Sequence, residues 1–330
     1  MTARVPGASI LGTGRYLPDR VVTNAEMETI VETSDEWIRT RTGIRERRIA
    51  PPDVGAAAMG AEAARQAMCD AGVEAGEVDM VLVSTATPDR LLPSTACDIQ
   101  ALLGTENAAA YDFATACSGF LYGLSLARAH IAAEQAETVL VVCTEKMSSI
   151  IDWGDRTTCV LFGDGAGAAV VRRTEDEGGI LSSFMKSDGR LAELLYRPAG
   201  GARIPMDISV LDERSHYVKM AGPEVFKSAV RSMCEAADGA LQRAGLTGEQ
   251  IDFLVPHQAN MRIIEATARY AGIPMEKVIV NVDRYGNMSS ASVPVALDEA
   301  RKSGILQKGS TVLMVAFGAG FTWAANVVRL

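Results

Sequence analysis

The feature that most constrains the fold of this 330-residue chain is an internal repeat. Segments of the first half match segments of the second half at one constant offset of 173 residues, as between Asp79 and Asp252. The matching pairs are 63–64 with 236–237, 78–82 with 251–255, 124–128 with 297–301, and 138–140 with 311–313. Chance similarity between alanine-rich helices would not preserve one offset over separate segments of differing pattern. The sequence therefore predicts an old duplication, with one half spanning 1–173 and the other 174–330.

Each half shows the same order of elements. A helical pattern ends at an Ala-Gly pair, an apolar strand follows a short loop, and a strand-helix pair precedes another apolar strand. Short buried strands that alternate with helices are typical of α/β proteins with parallel or mixed sheets. The uncharged segment 309–328 has the length of a membrane-spanning helix, but Gly318, Gly320 and several β-branched residues favour two buried strands around a glycine turn. We therefore expect a layered α/β fold without membrane insertion.

Composition and charge narrow the functional class. Hydrophobic residues make up 48% of the chain and charged residues 22%, which is typical of a globular protein with a large core. A formal net charge of −9 disfavours nucleic-acid binding, because phosphate contact requires clustered Lys and Arg. The first twenty residues contain no long apolar stretch, so we expect a cytoplasmic location rather than export. The six cysteines include no CxxC pair, which argues against a zinc site or a disulfide framework.

Cys117 lies between an apolar stretch that ends at Phe113 and a helical pattern over 120–131. This places Cys117 at a helix N-terminus, where unpaired backbone N–H groups and the helix dipole favour the thiolate. A thiolate attacks carbonyl carbon, so Cys117 is a candidate nucleophile, with a packing role as the alternative. For the other five cysteines we expect buried packing positions.

The repeat also predicts which residues lie near Cys117. His257, one of three histidines, follows the strand predicted over 251–255 and corresponds to Ser84 in the first half. The loop that holds Asn287 corresponds to the loop that holds Cys117. Residues that differ at equivalent places converge where strand ends of the two halves meet, so His257 and Asn287 are candidate partners of Cys117. The alternative for Asn287 is a turn that leads into a capped helix.

At these residues the chain resembles the β-ketoacyl-acyl carrier protein synthase III family, the initiating condensing enzymes of bacterial fatty acid synthesis in the thiolase-like superfamily. The likeness covers essentially the whole chain. Its motifs occur in the family's order and spacing, at 33–44, 111–120, 162–168, 255–260, 286–287 and 316–323. The resemblance implies an α/β, thiolase-like, five-layered α-β-α-β-α fold built from two duplicated halves and assembled as a homodimer.

The resemblance further implies the reaction and the residues that perform it. Cys117, His257 and Asn287 would form the catalytic triad, and the main-chain N–H groups of Cys117 and Gly320 would form the oxyanion hole. Cys117 would take an acyl group from an acyl-coenzyme A primer. Malonyl-acyl carrier protein would then lose carbon dioxide, and its enolate, bound by His257 and Asn287, would attack the acyl group. The reaction implies no metal and no cofactor, since coenzyme A enters as part of a substrate.

Binding sites for the two substrates follow from the same resemblance. The residues implied for coenzyme A are Trp37, Arg41, Arg156 and Asn260, with Trp37 and Arg156 on either side of the adenine. The residues implied for the primer pocket are Leu92, Leu161 and Phe162. Leu92 stands where some acetyl-selective members carry Phe, and Met288 stands where the family often has Thr. These departures leave the primer open between acetyl and other short or branched acyl groups. An acidic carrier protein requires local positive charge, for which the candidates are Lys227, Arg231 and Arg262.

Other functional classes fit the sequence less well. A thiolase would carry a second cysteine near the glycine turn at 316–321, and an elongating synthase would carry histidine in place of Asn287. A Cys-His hydrolase gives no reason for Asn287 or for the coenzyme A motif around Trp37. A binding protein without activity would be expected to have lost a member of the triad. A secondary-metabolic relative with an unusual primer or acceptor keeps most of the motifs and stays open as the alternative.

Overall fold

The computed structural model describes residues 6–176 and 178–330. In that part of the chain the strands are β1 (Gly7–Tyr16), β2 (Val21–Thr23), β3 (Glu46–Arg48), β4 (Met80–Ser84), β5 (Ala109–Phe113), β6 (Thr138–Lys146), β7 (Asp164–Thr174), β8 (Gly179–Ser187), β9 (Leu195–Tyr196), β10 (Lys219–Met220), β11 (Phe253–Pro256), β12 (Thr311–Gly318) and β13 (Thr322–Arg329). The α-helices are α1 (Asn24–Ile30), α2 (Asp35–Thr42), α3 (Ala56–Ala71), α4 (Thr95–Leu103), α5 (Gly119–Ala132), α6 (Ile208–Asp212), α7 (Gly222–Ala244), α8 (Met261–Tyr270), α9 (Val282–Tyr285) and α10 (Ser292–Lys302).

Two mixed sheets carry the architecture. The first has the order β1-β7-β6-β4-β5, in which β4 is parallel to β5 and β6, while β7 is antiparallel to β6 and β1. The second has the order β8-β13-β12-β11, in which β11 is parallel to β12, while β13 is antiparallel to β12 and β8. The two sheets thus share one pattern of strand directions. The chain passes from the first sheet to the second between the ends of β7 and β8, Thr174 and Gly179.

The duplication predicted from the sequence is confirmed in detail. β4 and β11, β6 and β12, and α5 and α10 begin at the same offset of 173 residues that relates Asp79 to Asp252. The two aspartates make equivalent bonds, because Asp79 accepts the N–H of Thr138 at 2.9 Å and Asp252 accepts the N–H of Thr311 at 2.8 Å. Helices α3 and α7 both end at a left-handed glycine. The two halves therefore repeat local geometry as well as strand order.

Helices and sheets alternate in layers. Helices α3 and α4 pack on the first sheet, α7 and α8 pack on the second, and α5 and α10 lie between the sheets. The middle layer is apolar on all sides, and Phe120, Leu124 and Leu297 are fully buried there. A helix that is covered on both sides needs hydrophobic residues all around its axis, which α5 has. This central layer also begins at the loops of Cys117 and Asn287.

Two details of the sequence predictions are tested by burial. The segment 309–328 forms β12 and β13, two buried antiparallel strands joined by a glycine turn, as predicted. Within the described ranges, no helix is both long and apolar enough to cross a membrane.

The expectation that five cysteines are buried packing residues is wrong for Cys69 and Cys97, which are exposed near the ends of surface helices. Sequence neighbours do not determine exposure on an amphipathic helix, because burial depends on which face packs against the sheet.

Candidate active site

Cys117 lies in a short 3-10 turn, Ala116–Ser118, between β5 and the N-terminus of α5. Ala116 has a positive φ of 46°, an uncommon conformation for a residue other than glycine. Strained backbone of this kind concentrates at functional sites, where the surrounding structure fixes it. The turn directs Cys117 to the place where the two halves meet, and its side chain is 8% exposed.

The environment of the Cys117 sulfur favours the thiol. Burial raises the pKa of the Cys117 thiol to about 12, and the negative charge of Glu145 adds to the rise, while the hydroxyl of Ser289 opposes it. The Ser289 oxygen lies 3.6 Å from the sulfur. The expectation that the helix N-terminus makes Cys117 a thiolate is therefore wrong for the resting enzyme. Loss of water around a charged sulfur outweighs the partial charge of the helix end.

His257 follows β11 and is held to the neighbouring strand by its backbone N–H, which donates to the Val315 carbonyl at 2.8 Å. The side chain is only 2% exposed, and burial lowers the pKa of His257 to about 3. Its Nδ1 atom makes no hydrogen bond with any described residue. At neutral pH the imidazole is uncharged, so it has one nitrogen that accepts a proton and one N–H that donates.

Asn287 is fixed through its backbone and through its side chain. Its N–H donates to the Leu161 carbonyl at 2.8 Å, and its carbonyl accepts the Gly163 N–H at 3.0 Å. Its side-chain Oδ1 accepts the N–H of Ser289 at 2.8 Å. Because Oδ1 makes that bond, the Nδ2 side of the amide is the one that Asn287 presents to a substrate oxygen.

The structure brings the three turns of the predicted triad to one place, at the ends of β5, β11 and α9. The Cys117 turn packs against the turn Ser289–Ala291, directly after Asn287, and against β12, the neighbour of β11. The end of β12 touches the Cys117 amide, since a Cβ at Gly318 would lie 2.7 Å from the Cys117 nitrogen. Two residues further, Gly320 has φ 140° in the turn before β13. Only glycine, which has no side chain, permits the close approach at Gly318 and the φ angle at Gly320.

The four residues predicted to bind coenzyme A also lie together. The guanidinium carbons of Arg41 and Arg156 are each 5.0 Å from the centroid of the Trp37 ring. Asn260 caps α8 by accepting the N–H of Arg262, and its Nδ2 donates to the Arg41 carbonyl at 2.9 Å. Asn260 thus joins α2, which carries Trp37 and Arg41, to the segment that follows His257.

The residues predicted for the primer pocket are separated within one chain. Leu161 and Phe162 lie beside Asn287, with which Phe162 forms a parallel β-bridge. Leu92, in contrast, is 86% exposed on the loop between β4 and α4, next to Leu91, which is 83% exposed. Both leucine side chains of this loop are open to solvent. The place of Leu92 in the primer pocket therefore stays a prediction.

The predicted docking residues share one outer face. Lys227 and Arg231 lie on α7 and line a groove of about 870 Å³ between α7 and α8. Arg262, in the first turn of α8, stacks its guanidinium on Phe226 at 5.4 Å from the ring centroid. The structure therefore gathers these three cations near the segment that carries His257.

Two polar residues at the site did not emerge from the sequence. Ser289 contacts the Cys117 sulfur, and Glu145 is a fully buried carboxylate beside the same turn. The repeat carried a signal for Ser289, because it corresponds to Ala116, and the two have nearly equal positive φ angles of 48° and 46°. Glu145 lies at the end of an apolar strand, where sequence does not distinguish a buried carboxylate from an exposed one.

Comparison with known proteins agrees with this geometry. Family models described as 3-oxoacyl-[acyl-carrier-protein (ACP)] synthase III match residues 111–189 and, for its C-terminal part, residues 241–330. A β-ketoacyl-[acyl-carrier-protein] synthase III of Caldanaerobacter subterraneus is 51% identical over 322 residues, which cover 98% of this chain and 97% of that protein. One of Xanthomonas campestris is 50% identical over 320 residues, which cover 97% of each.

Solved structures give the same result for the fold. The 3-oxoacyl-[acyl-carrier-protein] synthase III of Aquifex aeolicus matches with a TM-score of 0.91 at 47% identity, covering 98% of this chain and all of that one. The priming β-ketosynthase of the R1128 polyketide biosynthetic pathway matches with a TM-score of 0.91 at 39% identity, covering 100% of this chain and 99% of that one. The chain therefore has the thiolase-like five-layered fold and belongs to the β-ketoacyl-[acyl-carrier-protein] synthase III family, the condensing acyltransferases that initiate fatty acid synthesis.

Proposed function

We propose that this chain condenses a short or branched acyl-coenzyme A primer, such as acetyl-coenzyme A, with malonyl-acyl carrier protein. The products are 3-oxoacyl-acyl carrier protein, carbon dioxide and coenzyme A. The observation that carries the proposal is the packing of the buried Cys117 turn of one half against the turn after Asn287 and against β12, the strand to which the His257 backbone is bonded, in the other half. The same arrangement supports the roles of catalytic triad for Cys117, His257 and Asn287.

In the first half of the reaction Cys117 becomes an acyl thioester. The thiol passes its proton to the neutral His257, the sulfur attacks the thioester carbonyl of the primer, and coenzyme A leaves with that proton. The N–H groups of Cys117 and Gly320 donate to the oxyanion, a contribution of about 3 kcal/mol for each donor in comparable sites. The close approach of Gly318 to the Cys117 amide supports this pairing.

In the second half malonyl-acyl carrier protein loses carbon dioxide. Negative charge develops on its thioester oxygen, where the His257 N–H and the Asn287 Nδ2 group donate hydrogen bonds. The enolate carbon attacks the acyl carbon of the Cys117 thioester, the bond to sulfur breaks, and the released thiolate takes one proton from solvent. An amide suits position 287, because it donates to the enolate without titrating, and the bond from the Ser289 N–H keeps its donor side forward.

Substrate binding completes the proposal. Trp37 and Arg156 hold the adenine, with Arg41 and Asn260 beside the nucleotide, and Arg156 moves off the Trp37 ring as the base enters. Lys227, Arg231 and Arg262 bind the acidic carrier protein. No cofactor takes part. The working unit is a cytoplasmic homodimer, in which the exposed loop with Leu91 and Leu92 contacts the partner protomer, so that Leu92 joins Leu161 and Phe162 around the primer.

A second candidate function is priming in a specialised pathway. Full-length similarity to the priming β-ketosynthase of the R1128 polyketide pathway favours it, and Leu92 in place of a larger Phe is compatible with a longer primer. Both functions use the same site. A panel of acyl-coenzyme A primers assayed with malonyl-acyl carrier protein separates them, since the first expects acetyl or small branched primers and the second expects longer ones.

The test of the proposed function is the location of the acyl group. Incubation with acyl-coenzyme A should add one acyl mass to the peptide that contains Cys117, as measured by mass spectrometry after digestion. The Cys117→Ser variant, which differs by one atom, should lose the labile thioester adduct. An adduct on Cys143 or another cysteine, or none with any primer of the panel, would overturn the assignment.

A further inference from the structure

The two halves differ at equivalent positions around the nucleophile. Cys117 corresponds to Ser290, and Glu145, at the end of β6, corresponds to Gly318, at the end of β12. In one half, glycine lets the backbone approach Cys117. In the other half, the same place holds a carboxylate that binds Ser290. The duplication has therefore produced a charged group on only one side of the pseudo-twofold axis.

Glu145 is fully buried and receives hydrogen bonds from both halves of the chain. The Ser290 hydroxyl donates to Oε1 at 2.7 Å, and the Ser290 N–H donates to the same oxygen at 3.4 Å. The Ala86 N–H and the Thr87 hydroxyl donate to Oε2 at 3.0 and 2.9 Å. The carboxylate thus joins the loop after β4 to the turn that contacts Cys117.

These partners favour the ionised form of Glu145. Two of the donors are backbone N–H groups, which cannot accept a proton in return. The Thr87 hydroxyl accepts the Lys146 N–H at 2.8 Å and so directs its own proton to Glu145. Burial raises the pKa of Glu145, and the bonds from Ser290, Ala86 and Thr87 oppose that rise. Throughout residues 6–176 and 178–330, no Lys or Arg forms an ion pair with this carboxylate.

A buried carboxylate without a cation is costly, and four hydrogen bonds compensate only part of that cost. We propose that Glu145 is a positioning residue for the nucleophile, which anchors the Ser289–Ala291 turn against Cys117 and holds a negative charge behind the sulfur. This inference rests on the proposed role of Cys117 as acyl carrier. A sulfur kept as the thiol between turnovers resists alkylation and oxidation, which act on the thiolate.

The other titratable groups in this part of the core are uncharged. Cys143, also on β6, is buried, and burial raises its thiol pKa well above the usual value. His257 is neutral because burial lowers its pKa to about 3. Lys146 points away, since its Nζ donates to the carbonyls of Pro51, Pro52 and Val54. Glu145 is therefore the charge that faces Cys117 from β6.

The test compares Glu145→Gln with Glu145→Asp. Iodoacetamide alkylation of the Cys117 peptide is measured by mass spectrometry between pH 6 and 10, and the exposed Cys69 and Cys97 serve as internal references for the reagent. We expect Glu145→Gln to alkylate about tenfold faster than the wild type at each pH in this range, as follows from a Cys117 thiol pKa about one unit lower. Glu145→Asp keeps the charge and should stay close to the wild type. In condensation, Glu145→Gln should lower kcat and leave the KM for acyl-coenzyme A nearly unchanged.

Ser290→Ala tests the anchor without removing the charge. It should lower the condensation rate about tenfold, with an alkylation rate of Cys117 no higher than that of the wild type, and it carries the test if Glu145→Gln does not fold. The proposal is overturned if the Glu145→Gln alkylation profile coincides with that of the wild type, or if Ser290→Ala condenses at the wild-type rate. A failure of Cys117 to carry acyl groups is detected separately in the wild-type adduct experiment.

Discussion

Burial acts in opposite ways on the two titratable members of the proposed triad. It raises the pKa of the Cys117 thiol to about 12 and lowers the pKa of His257 to about 3, so that both groups are neutral at rest. Low polarity disfavours whichever form is charged. A neutral thiol beside a neutral imidazole permits proton transfer when the primer arrives. It also avoids storing an ion pair in a dry site, where charges are costly.

The depressed pKa of His257 predicts a loss of stability in acid. The unfolded imidazole binds a proton near pH 6.5, whereas the folded one does so only near pH 3. As the pH falls from 6.5 towards 3, the unfolded state binds the proton and the folded state does not. The folded state therefore loses stability that it has above pH 6.5. At pH 4.5 the loss is about 3 kcal/mol. We compare the free energy of unfolding, measured in urea at pH 7.5 and at pH 4.5. It should fall by about 3 kcal/mol less in His257→Gln than in the wild type.

The control for that experiment is His216→Gln, which removes a histidine from the loop before β10. It should show the same acid-induced drop in the free energy of unfolding as the wild type. Equal drops in His257→Gln and the wild type would contradict the assignment of a neutral buried imidazole.

At the scale of single elements, helix α2 presents the nucleotide site as a unit. Its N-cap Ser34 accepts the Trp37 N–H, and the helix ends at Gly43 with a positive φ. The side chain of Asn260 then fastens the carbonyl of Arg41 to the start of α8. The position of Trp37 relative to His257 is thus set by caps and one long-range bond, while its flanking arginines are exposed.

Trp37→Ala should weaken binding of the primer through loss of base stacking. Stacking on an aromatic ring contributes about 1–3 kcal/mol, which corresponds to about a tenfold to hundredfold rise in KM for acyl-coenzyme A. Acyl-pantetheine, which lacks the nucleotide, should react equally well with Trp37→Ala and the wild type. Arg39→Ala on the same helix removes an exposed pair with Asp35 and is the matched control. A similar loss with both substrates would show that Trp37 supports the fold rather than the base.

At the scale of the whole molecule, a chain of net charge −9 has to attract an acidic partner through a local patch. Long-range repulsion between two acidic proteins is screened by salt, whereas a compact group of cations acts at contact distance. The folding of α7 against α8 supplies such a group from distant parts of the sequence, with Lys227 and Arg231 on one helix and Arg262 on the other.

Arg262→Glu should slow condensation with malonyl-acyl carrier protein about tenfold at low ionic strength, with a smaller effect at high salt. The rate with a small malonyl thioester should not change. Arg269→Glu, in the last turn of the same helix, controls for the change in net charge. Equal slowing with both malonyl donors would argue against docking at Arg262.

The repeat, the α/β layering, and the places of Cys117 and His257 after strands and of Asn287 in a turn before a helix could all be predicted from the sequence. Hydrophobic periodicity is a local property of the sequence, and the offset of the repeat comes from comparing the sequence with itself. Both can therefore be recognised without coordinates. The residues proposed for coenzyme A came from family motifs, and the fold places two of them, Arg41 and Arg156, against the ring of Trp37.

The tertiary structure was needed to find the burial that raises the pKa of Cys117, the contact of Ser289, the burial of Glu145 and the exposure of Leu92. Each of these depends on which distant segments surround a side chain: Ser289 lies 172 residues from Cys117, and Ser290 lies 145 residues from Glu145. The burial of a side chain and the electrostatic field that acts on it are sums over such long-range neighbours. The helix N-terminus at Cys117 was predicted correctly. Its lowering of the thiol pKa is outweighed by burial, which arises only when the two halves pack together.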